Sequence, residues 1–248
     1  MSAAELAAIT GLTLRVAAVA TAAILLPAVA LGLLLARRSF PGKTLVQALI
    51  ALPMVLPPVA VGLALLLLLG RRGPLGSLWS ALGIEVVFTW WAAAIAAAVV
   101  GFPLLARASE QAFAAVDPRY ERLARTLGLS PLQAFFRVTL PLARRGVLYG
   151  VLFAFTRALG EFGATALVAG ILPGRTETLA LGIYSRVQLG EDGAALALCA
   201  ASFALALAAM LVAEGWLGKQ AASGARSELQ ARGVASADTQ RSDERGER

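Results

Sequence analysis

Apolar positions along this chain gather into long runs, at 14–36, 45–70, 86–106, 147–170 and 194–216, with basic and turn-forming residues between them. Each run holds about 20 residues or more, enough to cross a hydrocarbon core at about 1.5 Å per residue of helix. The pattern predicts an all-α fold, a polytopic transmembrane helical bundle of about five spans. The run 14–36 exceeds the apolar core of a cleaved signal peptide and is followed at once by Arg37, Arg38 and Lys43, so it reads as a retained helix. The second run is interrupted by Leu52, Pro53, Met54, Val55, Leu56, Pro57 and Pro58. Proline frees backbone carbonyls within a membrane helix, so Pro57 and Pro58 mark either a packing kink or a segment lining a pathway. Phe88, Thr89, Trp90 and Trp91 open the third run with aromatics suited to the headgroup level. Between the last two runs, Pro173, Gly174, Arg175 and Thr176 precede a mildly apolar stretch at 179–187, which predicts an interfacial or re-entrant helix, or a sixth span if it crosses. The division that follows is a membrane domain over 1–218 and, over 219–248, a polar tail without apolar periodicity, expected to be a disordered cytoplasmic segment.

The loop 110–142 between the third and fourth runs carries its own helical signals. Asp117 before Pro118 is an N-cap followed by the proline that fits the first helical turn. Tyr120, Leu123, Ala124 and Leu127 recur at helical spacing on one face, Arg119, Arg122 and Arg125 fall on the other, and Gly128 ends the helix. Ser130, Pro131 and Gln133 form a capping-box start for a second short helix through Phe135 and Phe136, which Leu140 and Pro141 are expected to close. Two short helices projecting from a membrane domain, with a greasy and a cationic face, suit docking on another protein.

Charge then orients the bundle. Arg37 and Arg38, Arg107, Arg144 and Arg145, and Lys219 alternate with the runs in a way that puts the N-terminus outside and the C-terminus in the cytoplasm. Arg71 and Arg72 dissent, either because an anionic solute or its delivery protein is met there or because two outside arginines are tolerated. The net charge of +7 is accounted for by these anchors, and nucleic acid is not an expected partner; the lipid bilayer is. With no histidine and only Cys199, the 248-residue chain lacks the residues for histidine-dependent catalysis, an intramolecular disulfide or a thiolate metal cluster.

Within the fourth run, Arg157 and Glu161 stand four residues apart, a spacing that places them on one helical face. An ionised residue at a helix centre costs about 2.5–3.5 kcal/mol on insertion scales, so the pair is expected to face the bundle interior, a cavity or itself. It fits a self-satisfied pair that fixes helix rotation, and equally a pathway cation part-neutralised by Glu161 so that an anion passes without being held. Gly146, Gly150, Gly160 and Gly163 around it offer small surfaces for close helix approach.

Gly128 followed by nine residues, Val138, one more residue and Leu140-Pro141 resembles the coupling loop of type I ABC importer permeases. The string TRALGEFGATALVAG at 156–170, with the LPMVLPP run, the GRRGPLG turn and Phe88-Thr89-Trp90, resembles the molybdate branch of that family and the related sulfate permeases, over about residues 10–218. The resemblance implies a homodimer that forms the pathway for an oxyanion, molybdate or tungstate, with sulfate or thiosulfate as the alternative. It implies a cytoplasmic ATPase that binds ATP and Mg, since this chain has no phosphate loop and no cofactor site of its own, and an extracytoplasmic oxyanion-binding protein. The coupling residues it implies are Glu121, Arg122, Ala124, Gly128, Val138, Leu140 and Pro141. The family's glutamate is expected six residues before Gly128, where Arg122 stands, so Glu121 and Arg122 are both candidates to face the ATPase. The pathway candidates are Arg157, Glu161, Pro57 and Pro58, and the implied setting is a bacterial cytoplasmic membrane. A stand-alone carrier or channel, driven by an ion gradient, is the contrasting expectation.

Overall fold

The computed structural model describes residues 1–212 and Gly215. Among the described residues every regular element is helical: α1 (Ala3–Arg37), α2 (Lys43–Val55), α3 (Pro58–Leu69), α4 (Pro74–Ala81), α5 (Trp90–Ala114), α6 (Pro118–Thr126), α7 (Pro131–Ala134), a π-helical turn (Phe135–Thr139), α8 (Leu140–Leu159), α9 (Gly163–Val168), α10 (Leu179–Gln188) and α11 (Asp192–Val212). The expected tail at 219–248 and the end of the last run lie outside the described residues. Among the described residues, four helices can cross a membrane by length and composition, and α2 with α3 raise the number to five if that bent pair is one span.

The centre is a three-helix packing of α1, α5 and α8. Lipid offers little hydrophobic drive between apolar helices, so close approach of small residues carries the association. Alanines of α5, from Ala92 to Ala97, are buried there. A Cβ at Gly32 of α1 would lie 2.6 Å from Ser109 Cβ and 2.8 Å from the Glu110 backbone nitrogen, so only glycine lets α1 and α5 approach this closely. Gly146 and Gly150 of α8 do the same against Ala112 and Ala108 of α5. Phe113, fully buried, closes one end of this core with Val116, Ala143 and Val147.

The second run is not one kinked helix. Leu56 is extended, Pro57 and Pro58 donate no backbone hydrogen bond, and α2 and α3 are bent by 108° across that break. The first helix starts earlier than the apolar run, at Ala3, because Ser2 caps it through the Glu5 N–H at 3.1 Å.

The fourth run also differs. Leu140 and Pro141 open α8 instead of closing the preceding unit: proline is tolerated in a first helical turn, and the π-helical turn carries the chain from α7 into α8 without a stop. Helix α8 then ends at Leu159 with Gly160 as its cap, ten or so residues short of the apolar run's end, and the short α9 resumes at Gly163. The helix expected at 179–187 is present as α10. Leu179 packs with Ile9 of α1 and Leu198 of α11, and the Leu179 N–H donates to Thr13 Oγ1 of α1 at 2.8 Å.

Candidate functional site

The two broken spans meet at their breaks. A Cβ at Gly62 of α3 would lie 2.7 Å from the carbonyl oxygen of Ala164 in α9, and one at Gly163 would lie 2.7 Å from Pro58 Cβ. Backbone therefore crosses backbone, and the discontinuity at Pro57 and Pro58 sits against the discontinuity at 160–162. Broken helices bring unpaired backbone groups to membrane depth, which is tolerated where protein buries them or they line a cavity.

Glu161 lies in this junction and not, as its spacing from Arg157 suggested, on the same helix. Gly160 ends α8, and the Glu161 side chain turns to accept from the Ala164 N–H at 2.9 Å, capping α9. Its other oxygen stands 2.8 Å from Arg157 Nη1, an ion pair that spans the end of α8. The pair is lopsided: the Glu161 side chain is 2% exposed and that of Arg157 34%. One carboxylate thus anchors a helix terminus on one side and part-neutralises a half-buried guanidinium on the other. Arg157 and Glu161 are brought together and Pro58 lies against Gly163, while Pro57 caps α3; both prolines are exposed.

The projecting loop has the capped form its sequence implies. Asp117 accepts from the Arg119 N–H at 2.8 Å, Gly128 takes φ +89° to end the first helix, and Ser130 and Gln133 cap each other's backbone reciprocally. Tyr120, Leu123 and Leu127 of α6, and Leu132 and Phe136 beyond it, are all more than half exposed, while Ala124 is buried. The apolar face of α6 is therefore turned away from its own chain, the reverse of an amphipathic helix lying on its core.

Glu121 and Arg122, equal candidates in the sequence, separate clearly. The Glu121 carboxylate points inward, 3.4 Å from Arg37 Nη2 at the end of α1, and accepts from the Thr139 hydroxyl in the π-helical turn, whereas Arg122 is exposed. Gly128 and Pro141 are exposed, and Val138 and Leu140 are half-buried beside Thr139. Glu121 thus ties α6 to α1 and to the entrance of α8.

Three side-chain networks escaped sequence reasoning. Arg37 and Thr139 stand 84 and 18 positions from Glu121, separations that carry no periodic signal. At the same end, Glu110 of α5 accepts from Gln47 Nε2 of α2 at 2.6 Å and pairs with Arg107 Nη1 at 3.2 Å, while Arg107 Nη2 donates to the Gln47 carbonyl at 3.1 Å. This network holds the otherwise loosely packed α2, none of whose residues is buried. At the opposite end Arg186 of α10, largely buried, pairs with Glu5 of α1 and lies 3.8 Å from Glu177 and 3.5 Å from Glu191. Arg71, one of the two dissenting arginines, is paired with Glu85.

A bundle of membrane-spanning helices, a crossing of broken helices that carries a part-neutralised arginine, and an apolar-faced helical projection at one end together define a membrane permease subunit. The chain belongs to the family described as binding-protein-dependent transport system inner membrane component, whose profile matches residues 28–219. It is accordingly a multi-pass inner-membrane subunit of an ABC importer. It is 46% identical over 189 residues, 75% of this chain and 82% of the relative, to the molybdenum transport system permease protein ModB of Escherichia coli K12. The protein of the same name from Haemophilus influenzae is 42% identical over the same shares of the two chains. A sulfate transport system permease protein, CysW of Synechocystis, is 38% identical over 73% of this chain and 65% of its own length. A crystal structure described as an amino acid ABC transporter with histidines superposes with a TM-score of 0.61 over 87% of this chain and 94% of that one; at 18% identity the likeness is one of fold.

Proposed function

We propose that this chain conducts molybdate or tungstate across the inner membrane, as a homodimer driven by a separate ATPase and supplied by an extracytoplasmic binding protein. The observation that carries the substrate class is the Arg157–Glu161 pair at the crossing of the two broken spans. A half-exposed guanidinium attracts an oxyanion, and the carboxylate 2.8 Å away lowers the net charge so that the anion is released. The choice of molybdate within that class follows the two ModB relatives, at 46% and 42% identity, against 38% for the sulfate relative.

The ATPase reading draws on the exposed apolar face of α6 and α7, which suits a cleft in a partner, and on Glu121, which links α6 to α1 and α8. ATP and Mg belong to that partner. In this scheme Arg122, Gly128 and Leu127 lie toward the ATPase, and Ala124, Val138, Leu140 and Pro141 form the base on which the projection is seated. The cations Arg37, Arg107, Arg144 and Arg145 favour a cytoplasmic position for this end, with the N-terminus of α1 and the turn at 173–175 outside.

Uptake of labelled molybdate into vesicles, with and without the ATPase and binding protein and with sulfate as competitor, tests the proposal. The expected result is uptake that needs ATP and both partners and resists excess sulfate. Competition by sulfate at equal concentration would make the chain a sulfate permease subunit. Uptake by this chain alone would make it a carrier or channel, and the coupling role of α6 and α7 would fall.

A further inference from the structure

We propose that a second, separate anion site lies at the outer end of the bundle, in a pocket between α1, the start of α5 and the turn at 173–175, and that it takes a phosphate-class oxyanion. The pocket, with a volume of about 360 Å³, is lined by Leu12 and by Arg15, Thr89, Trp90, Trp91, Gly174 and Arg175, and among the described residues no carboxylate lines it. The Arg15 guanidinium lies 3.8 Å from the centroid of the Trp90 ring, which in turn stacks on Trp91 at 3.9 Å. A cation held over a ring face spends none of its N–H donors on that contact, so Arg15 is positioned and still free to bind.

The charge balance points the same way. Among the described residues neither Arg15 nor Arg175 is paired with a carboxylate. The acids that line the adjoining pocket, Glu5 and Glu177, are engaged by Arg186 on its far side. Two guanidinia therefore share one concavity with their charge uncompensated, and planar forks of this kind match tetrahedral oxyanions in two-point contacts. Two sources supply that chemistry. Trp90 and Trp91 begin a membrane span and so stand at headgroup depth, and Leu12 and the exposed Trp91 give the pocket apolar surface, which suits the phosphate of an anionic lipid. A free oxyanion in the aqueous phase offers the same oxygens.

The experiment uses the full chain in nanodiscs, with Trp79→Phe and Trp216→Phe to leave Trp90 and Trp91 as the reporting fluorophores. In the lipid arm, brominated phosphatidylglycerol is titrated into phosphatidylcholine discs against brominated phosphatidylcholine. In the soluble arm, inorganic phosphate and sulfate are titrated into phosphatidylcholine discs. Preferential quenching by the anionic lipid, weakened about tenfold in Arg15→Gln and again in Arg175→Gln, establishes a lipid phosphate as the occupant. A saturable response to the soluble anions with the same dependence on both arginines establishes a free oxyanion. Arg72→Gln removes an outer-end cation outside the pocket and is expected to leave both titrations unchanged. Equal quenching by the two lipids together with no response to soluble anions, or Arg15→Gln and Arg175→Gln variants that behave as the parent, would overturn the proposal. Because no transport step enters these readouts, their outcome is independent of which solute the permease carries.

Discussion

Glu161 performs two tasks that substitution can separate. Its Oε1 accepts from the Ala164 N–H and its Oε2 faces Arg157. Glu161→Gln preserves the shape and the cap acceptor but removes the charge, leaving Arg157 uncompensated. Stripping one partner from a fully buried pair costs about 3–5 kcal/mol; with Arg157 34% exposed, water takes up part of that deficit and the expected loss is about 1–2 kcal/mol. Glu161→Ala loses the cap as well and leaves the buried Ala164 N–H without its acceptor, which adds about 1 kcal/mol. Unfolding of the purified variants should therefore rank Gln above Ala in stability and both below the parent. Transport reports the other half: with its counter-charge gone, Arg157 holds an oxyanion longer, so initial-rate uptake should show a lower KM together with a lower turnover in Glu161→Gln. Equal stability losses in the two variants would refute the capping role. An unchanged KM in Glu161→Gln, with turnover intact, would refute the reading of Arg157 as a pathway cation and leave the pair a packing element.

Other expectations follow from single contacts. Gly62→Val places a branched side chain where even a Cβ meets Ala164 backbone at 2.7 Å; over-packing of this kind costs about 1–3 kcal/mol, and thermal unfolding should show a clear loss that Gly11→Val, with open space around it, does not. Gly128 has room for a side chain but holds φ +89°, so Gly128→Val should cost about 1–2 kcal/mol of local backbone strain and register as ATP hydrolysis that no longer drives uptake, with the fold retained by circular dichroism. Glu121→Gln keeps an acceptor for Thr139 and loses the charge of a largely buried pair with Arg37, so the stability loss should be about 1–2 kcal/mol, below that of a fully buried pair, while the ratio of solute moved to ATP hydrolysed falls; an unaltered ratio would show that this link does not transmit the motion.

Much of the architecture is local and was therefore legible in the residues. Hydrophobic run length predicted the all-helical class, and side chains acting within three or four positions marked the caps at Asp117 and Ser130 and the stop at Gly128, each of which the structure reproduces. Two errors came from the same locality. Spacing alone put Arg157 and Glu161 on one helix, although Gly160 between them and Gly163 beyond carried the signal for a break. Leu140 and Pro141 read as a terminus in the sequence, but proline fits equally well in the first turn of the helix that follows, and there they stand.

Only the tertiary structure decided what those local elements do together. The run of prolines foretold some irregularity in the second span, but not that its break would lie against the break in the fourth, backbone to backbone at Gly62 and Ala164. Nothing in the sequence distinguished Glu121 from Arg122 until folding carried Arg37 and Thr139 to the same carboxylate. Likewise Arg15, Trp90 and Arg175 are unrelated positions until three distant segments close one pocket around them. Helix formation is governed by neighbours within one turn, and the chain states it openly. The pairing of helices depends on which small residues allow two backbones to approach, a matter of matching surfaces far apart in sequence, and that information has no period along the chain.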